Sequence, residues 1–178
     1  MLLPALLALS VCLVQPAQAQ SSPDEYRIKA AFLFHFAQLV EWPPEVLSAN
    51  DNSFLLCTFG DDSFQGELES SVEGKSVGSR VLRVRHVRRS EETQGCHIVV
   101  IGKKEKGFQG LLTTMAGASL LTVGEMDNFV DQGGVIGFCK EGNKIRFEIN
   151  LEAAQRAKLK ISSRLLMLAK RVVGSSGR

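Results

Sequence analysis

The chain has 178 residues, 44% of them hydrophobic and 7% aromatic, with a formal net charge of +2. That length suits one domain with its own core, and so small a charge gives no argument for nucleic acid. No apolar run reaches the about 20 residues that a membrane-spanning helix needs.

The chain opens on an apolar run from Leu2 to Val14, followed by Ala17-Gln18-Ala19, a small-x-small site before Gln20. This predicts a secretory signal peptide over residues 1–19, cleaved after Ala19, although its first residues carry no Lys or Arg. Residues 20–173 then form a single exported domain, and residues 174–178 a frayed tail. Three cysteines survive such processing: Cys57, Cys96 and Cys139. An odd count in an oxidising compartment predicts one bridge and one leftover thiol. All three pairings are open; Cys57–Cys96 is preferred because both fall in predicted neighbouring strands.

Asp24 to Glu41 reads as the first helix, with acids at its positive end and a stop at Trp42-Pro43-Pro44. Ile28, Phe32, Phe36 and Leu39 form one apolar row, and Leu33, Ala37 and Val40 a second. Arg27, His35 and Gln38 are left as a narrow polar edge. A face this apolar predicts core burial, or a partner surface carried by Phe32, Phe36 and Trp42. Strands are expected at Ser53–Phe59, Arg80–Val87, Cys96–Ile101 and Ser119–Val123, with helices at Ser63–Ser71 and Lys103–Ala116. The alternation predicts a three-layer α/β fold: a mostly parallel sheet with helices on both faces. Gly134–Cys139 and Lys144–Asn150, joined by Lys140-Glu141-Gly142-Asn143, predict a C-terminal antiparallel hairpin on the sheet edge. Leu151–Ala157 and Ser162–Val173 close the chain as helices.

Enzyme motifs are missing: there is no GxSxG, P-loop, HExxH, CxxC or GxGxxG. Gly133-Gly134-Val135-Ile136-Gly137 enters a strand and does not open a helix, so it offers no phosphate cradle. Cys96 and His97 are strand neighbours that point to opposite faces, so they do not grip one metal. No metal, cofactor or catalytic residue is expected. The basic stretch Arg80, Arg83, Arg85, His86, Arg88 and Arg89 reads as a charged strand edge that blocks aggregation, with an acidic partner or lipid head groups as the second reading. Lys144, Arg146, Glu148 and Asn150 share one face of the last hairpin strand. They either pair with one another or line a cleft with Glu125 and Asp127; Asn150 also sits where it can cap the next helix.

These pieces carry a resemblance. Tyr26-Arg27-Ile28-Lys29-Ala30-Ala31-Phe32-Leu33 runs to Val40-Glu41-Trp42-Pro43, and Leu121-Thr122-Val123-Gly124 follows. Next come Phe129 with Gly133-Gly134-Val135-Ile136, then Arg146-Phe147-Glu148-Ile149-Asn150 and Leu159-Lys160-Ile161-Ser162-Ser163-Arg164-Leu165-Leu166. Together, across nearly all of the mature length, they resemble the YfiR-like family of small exported proteins. The resemblance implies a periplasmic α/β domain, often a homodimer, without known catalysis. It implies binding to the periplasmic domain of an inner-membrane diguanylate cyclase, which restrains cyclic-di-GMP synthesis and biofilm formation; a sensor kinase is the other inner-membrane partner it admits, and an outer-membrane partner is also admitted. A disulfide belongs to the family pattern and suits Cys57–Cys96, whereas Cys139 without a further partner departs from it.

Three function classes are therefore weighed. The first is a regulator that binds another protein. The second is a module for an anionic or zwitterionic solute, feeding a sensor kinase or cyclase, with Lys29, Glu125, Asp127, Arg146, Asn150 and Arg164 as polar anchors. The third, an enzyme using Asp127 with His35 or His97, has no supporting spacing.

Overall fold

The computed structural model describes residues 23–47, 52–60, 64 and 66–174. The expected signal peptide and residues 175–178 of the expected tail lie outside them. Helix α1 (Pro23–Leu39) leads into β1 (Val40–Glu41) and the single turn α2 (Pro44–Leu47). Then follow β2 (Ser53–Phe59), α3 (Glu67–Val72), β3 (Ser76–Val77), β4 (Arg80–Val87), a 3-10 turn (Ser90–Thr93), β5 (Ile98–Ile101), α4 (Phe108–Thr114) and β6 (Leu121–Gly124). The chain ends with β7 (Ile136–Glu141), β8 (Lys144–Asn150), α5 (Leu151–Arg156), β9 (Lys160–Ile161), α6 (Ser163–Leu168) and β10 (Arg171–Val173).

Eight strands form one sheet in the order β10-β8-β7-β6-β5-β2-β4-β3, and β1 pairs with β9 apart from it. Five of its seven pairings are parallel; β3–β4 and β7–β8 are antiparallel. The expected α/β architecture is present, with local corrections; the expected helix Lys103–Ala116 spans only Phe108–Thr114, and the first hairpin strand is Ile136–Glu141 where Gly134–Cys139 was expected. The predicted helix Ser162–Val173 stops at Leu168, and Arg171–Val173 turns into a strand parallel to β8. Extended, β-branched Val172-Val173 gains ladder hydrogen bonds there that a helix would not supply. The hairpin is consequently covered by β10 and is not the sheet edge. The first helix also ends earlier than expected, at Leu39, and Val40-Glu41 extends to pair with Ile161 and Lys160.

Side-chain alternation divides the core into two halves. Phe54 and Leu56 of β2, Ile98 and Val100 of β5, and Phe147 and Ile149 of β8 point toward α1, α3, α5 and α6. Cys57, Phe59, Val99 and Ile101 point the other way, toward Leu111 and Met115 of α4. Phe36 is fully buried, its ring 5.0 Å from Phe147 and 5.8 Å from Phe138. On α1 the buried line runs through Ala30, Leu33, Phe36 and Ala37, while Ile28 of the predicted apolar row is 46% exposed.

The Gly124, Phe129 and Gly133-Gly134 pattern has a packing cause. The Phe129 ring lies between Gly124 and Gly134, where a Cβ at either position would overlap it. Phe108 of α4 stacks 5.7 Å from the ring and closes this side of the sheet. Two glycines are thus spent on the close approach of one aromatic to the backbone. The turn after Phe129 is tied by Gly134 N–H donating to Phe129 O at 3.0 Å.

Candidate functional site

A buried ion cluster sits at the carboxyl ends of β6 and β7, against α1. Glu25 and Lys29 are one helical turn apart, so their side chains meet on the buried face, Nζ to Oε1 at 2.7 Å. Lys140 of β7 reaches Glu25 Oε2 at 2.6 Å, and Lys29 Nζ lies 3.2 Å from Glu125 Oε2 just past β6. Lys29 is 4% exposed and Glu125 7%. The Lys29 ammonium also stands 4.7 Å from the centre of the Tyr26 ring, a cation–π contact.

The two carboxylates of this cluster behave differently. Burial alone would raise the Glu25 carboxyl, but hydrogen bonds from Lys140 and Lys29 outweigh it and hold it below the usual range. For Glu125 burial dominates and pushes the carboxyl up against the attraction of Lys29. Neither Glu125 oxygen accepts a well-formed hydrogen bond from the described residues, so the Lys29 contact is mainly one of charge. A desolvated carboxylate without donors is the costly kind.

The expected solute anchors are therefore not gathered into one cleft. Lys29 and Glu125 pair with each other inside the protein. Arg146 and Asn150 alternate with Phe147 and Ile149, so they point to the opposite face of the sheet. There Arg146 lies 3.7 Å from Glu141. Asn150 caps α5 as its position implied, accepting from Ala153 N–H at 2.9 Å, and its amide donates to Val130 O at 2.7 Å. Asp127 and Arg164 are exposed, one in the turn after β6 and the other at the start of α6. Glu148 pairs with Arg171, which also holds Asp131 through two hydrogen bonds of 2.9 and 2.7 Å. The alternating charges of the hairpin face have thus paired with one another and with the neighbouring strand.

The expected partner face needs a similar correction. Phe36 belongs to the core and offers no surface. Phe32 and Trp42 are half-buried on the same core, with the Trp42 indole N–H donating to Ala37 O at 3.2 Å. Three of the exposed large apolar side chains lie instead near the C-terminal end, where Met167 is 79% exposed, Leu168 53% and Val172 37%; Ile28 of α1 and Val81 of β4 are the others. Sequence reading missed the C-terminal three because a helix through Val173 would have turned part of this stretch inward.

The catalytic pairings have no geometry to support them. His97 stands before β5 and Asp127 beyond β6, at opposite ends of parallel strands. The His97 ring stacks on Phe54 at 4.3 Å, and its Nδ1 accepts the Leu55 N–H at 3.1 Å, a core role. His35 is exposed on α1. Cys57 and Cys96 are joined as a disulfide with Cα atoms 6.0 Å apart, and Cys139 is free. Burial, then the neighbouring Glu148 carboxylate, push the Cys139 thiol up, away from thiolate reactivity.

The YfiR/HmsC-like family model matches residues 26–170, well over half of the chain. The chain belongs to the YfiR/HmsC-like family. Its members are periplasmic regulators of signalling and are not known as enzymes. No curated protein matches at a significant level. Among solved structures, the ABC domain in complex with L-Trp from Streptococcus pneumonia is similar at a TM-score of 0.56 and 12% identity, over 81% of this chain and 60% of that one. A conserved domain protein from Vibrio cholerae O1 biovar eltor is similar at a TM-score of 0.54 and 10% identity, over 80% of this chain and 59% of that one. At such identities the likeness is one of fold, and the chain spans about three fifths of each of these structures.

Proposed function

We propose that this member of the family is exported, cleaved after Ala19, and acts in the periplasm as a binding protein that restrains an inner-membrane diguanylate cyclase. It does so by docking on the cyclase's periplasmic domain, which lowers cyclic-di-GMP and biofilm formation. The family match over residues 26–170 supports the regulatory part of this reading. The docking part rests on one observation: Met167, Leu168 and Val172, near one another in sequence at the end of α6 and on β10, each expose an apolar side chain. Exposed large hydrophobics beside an edge strand favour burial by a partner. The copy number is a homodimer in this reading, with the cyclase domain taking the same edge.

The test is made in the native host. Deleting the gene should raise cyclic-di-GMP and biofilm, and the intact gene should reverse this. A Met167→Glu/Leu168→Glu double variant should reach the periplasm folded yet fail to reverse it, and should no longer capture the cyclase's periplasmic domain in a pull-down. Unchanged cyclic-di-GMP on deletion would remove the cyclase from the proposal. Full activity of the double variant would remove the surface.

A further inference from the structure

The basic stretch from Arg80 to Arg89 is left without a role by the partner-binding reading. Two of its members are held by neighbouring side chains. Arg89 pairs with Glu92 at 2.8 Å, and His86 is held between Thr58 and Glu69 at 2.6 and 2.7 Å. Arg85 alternates, like Arg83, onto the α4 side of the sheet, and with Arg80 it lies in the wall of a cleft of about 840 Å³. The cleft opens at the amino ends of β2, β5 and β6, the opposite end of the sheet from the Lys29–Glu125 cluster. Leu55, Met115 and Leu120 give it an apolar lining, and Cys96 of the disulfide adjoins them. Its volume falls in the range of about 300–1,000 Å³ usual for small-molecule sites.

Arg85 is fixed but not neutralised. Its Nη2 donates to the carbonyls of Glu92 at 3.1 Å and Gln94 at 2.8 Å, and lies 3.2 Å from Cys96 Sγ. Its Nε is enclosed without a hydrogen-bond partner, and no carboxylate of the described residues pairs with it. Carbonyl dipoles orient a guanidinium and leave its full charge in place. By contrast, Arg171 on the same face of the sheet is met by two carboxylates. A half-buried, pre-oriented guanidinium beside an apolar lining is the usual receptor for a carboxylate carried on an apolar body. Glu91 at the rim is an acid and disfavours a doubly charged ligand.

We infer that this cleft is a binding site for a small amphipathic monoanion, a carboxylate whose apolar body rests on Leu55, Met115 and Leu120 while its head group meets Arg85. The site lies away from the Met167–Leu168 surface and does not depend on the cyclase reading. Sodium decanoate is a suitable probe, titrated into isotope-labelled protein and followed by amide chemical shifts. Saturable shifts are expected at Leu55, Gly95, Cys96, Met115 and Leu120, with a Kd below about 1 mM. Decanol, the neutral analogue, should bind at least about tenfold more weakly, as should decanoate to Arg85→Gln. Arg85→Lys should recover part of the affinity. Because Arg85 also ties the turn at Glu92 and Gln94, Met115→Trp provides a second route: it fills the cleft, keeps the guanidinium, and should abolish the shifts. The inference is overturned by shifts absent at these amides at several times that concentration, by equal affinity for decanol, or by a Met115→Trp protein that binds decanoate as the parent does.

Discussion

The two faces of the sheet solve the same problem of charge in different ways. On the α1 face the central charges are locked inside: Lys29 is held by Glu25 and Glu125, and Lys140 reaches in from solvent to Glu25. On the other face charges stay near water, where Arg171 lies 40% exposed between Asp131 and Glu148. Helix coverage makes the difference. Four helices pack over the first face, whereas α4 covers only part of the second and leaves a cleft beside it. The first face is built to be rigid, and the second retains space and unneutralised charge where binding can occur.

The largest effect should come from removing the central cation of the sealed face. Lys29→Met leaves Glu125 buried without its cation, while Glu25 keeps Lys140, so a loss of about 3–5 kcal/mol is expected. Urea unfolding of the parent and variant at neutral pH measures it. A loss below about 1 kcal/mol would mean that water reaches the cluster and that the contrast between the faces is false.

The second prediction concerns packing on the more open face. Gly134→Ala places a methyl where the Phe129 ring already lies. An overpacked site of this kind costs about 1–3 kcal/mol. The added test is Phe129→Leu in the same background: if the glycines exist to admit the ring, the smaller side chain should recover part of the loss. An additive double variant would break that account.

Glu125 supplies a pH test of the sealed face. Its carboxyl is raised above its ordinary 4.5 by burial, so between 4.5 and the raised value the folded state binds more protons than the unfolded chain. Stability from this group is therefore intact below 4.5 and falls as pH rises through the raised value. Glu25 runs the opposite way: its carboxyl is lowered, and its contribution is present above 4.5 and lost as pH falls through the lowered value. Glu125→Gln should flatten the decline on the neutral side without altering the acid limb. Unfolding midpoints measured across the acid to neutral range check this, and an unchanged profile would place Glu125 in contact with solvent.

How much of this was legible beforehand follows from which interactions are local. The strand runs at Ser53–Phe59 and Lys144–Asn150 were read at their true bounds, because a continuous apolar run in the first, alternation in the second and the turn formers beside them are local signals. The Cys57–Cys96 bridge was the preferred of three open pairings, since both cysteines fall in predicted neighbouring strands, and the Asn150 cap came from its place between strand and helix. The ion cluster was only half visible. Lys29 and Glu125 were singled out as separate anchors, but nothing local says that Glu125, distant in sequence, packs under α1. The i, i+4 spacing of Glu25 and Lys29 on an otherwise apolar helix was the signal that could have found it. Arg85 was hidden among five other basic residues; only the tertiary turn of residues 90–96 distinguishes it. β10 was lost because Arg171-Val172-Val173 is three residues long and gains its strand geometry from β8.

The smallest effect belongs to the charges of the open face. Arg171 makes short contacts, 2.7 Å to Asp131 and 2.6 Å to Glu148, and these hold the Asp131 carboxyl below its usual range. Distances of this kind would suggest strong stabilisation if the pair were dry. It is not: solvent screens it, and ordering three side chains costs entropy that offsets the attraction. Arg171→Gln should consequently stay within about 1 kcal/mol of the parent. What remains of the effect should shrink further in about 1 M salt, where the Debye length is about 3 Å. Lys29→Met should keep most of its penalty in the same salt, since ions do not enter the sealed face. A salt response of equal size in the two variants would show that burial does not separate them, and that difference in screening is the most direct measure of how far the two faces diverge.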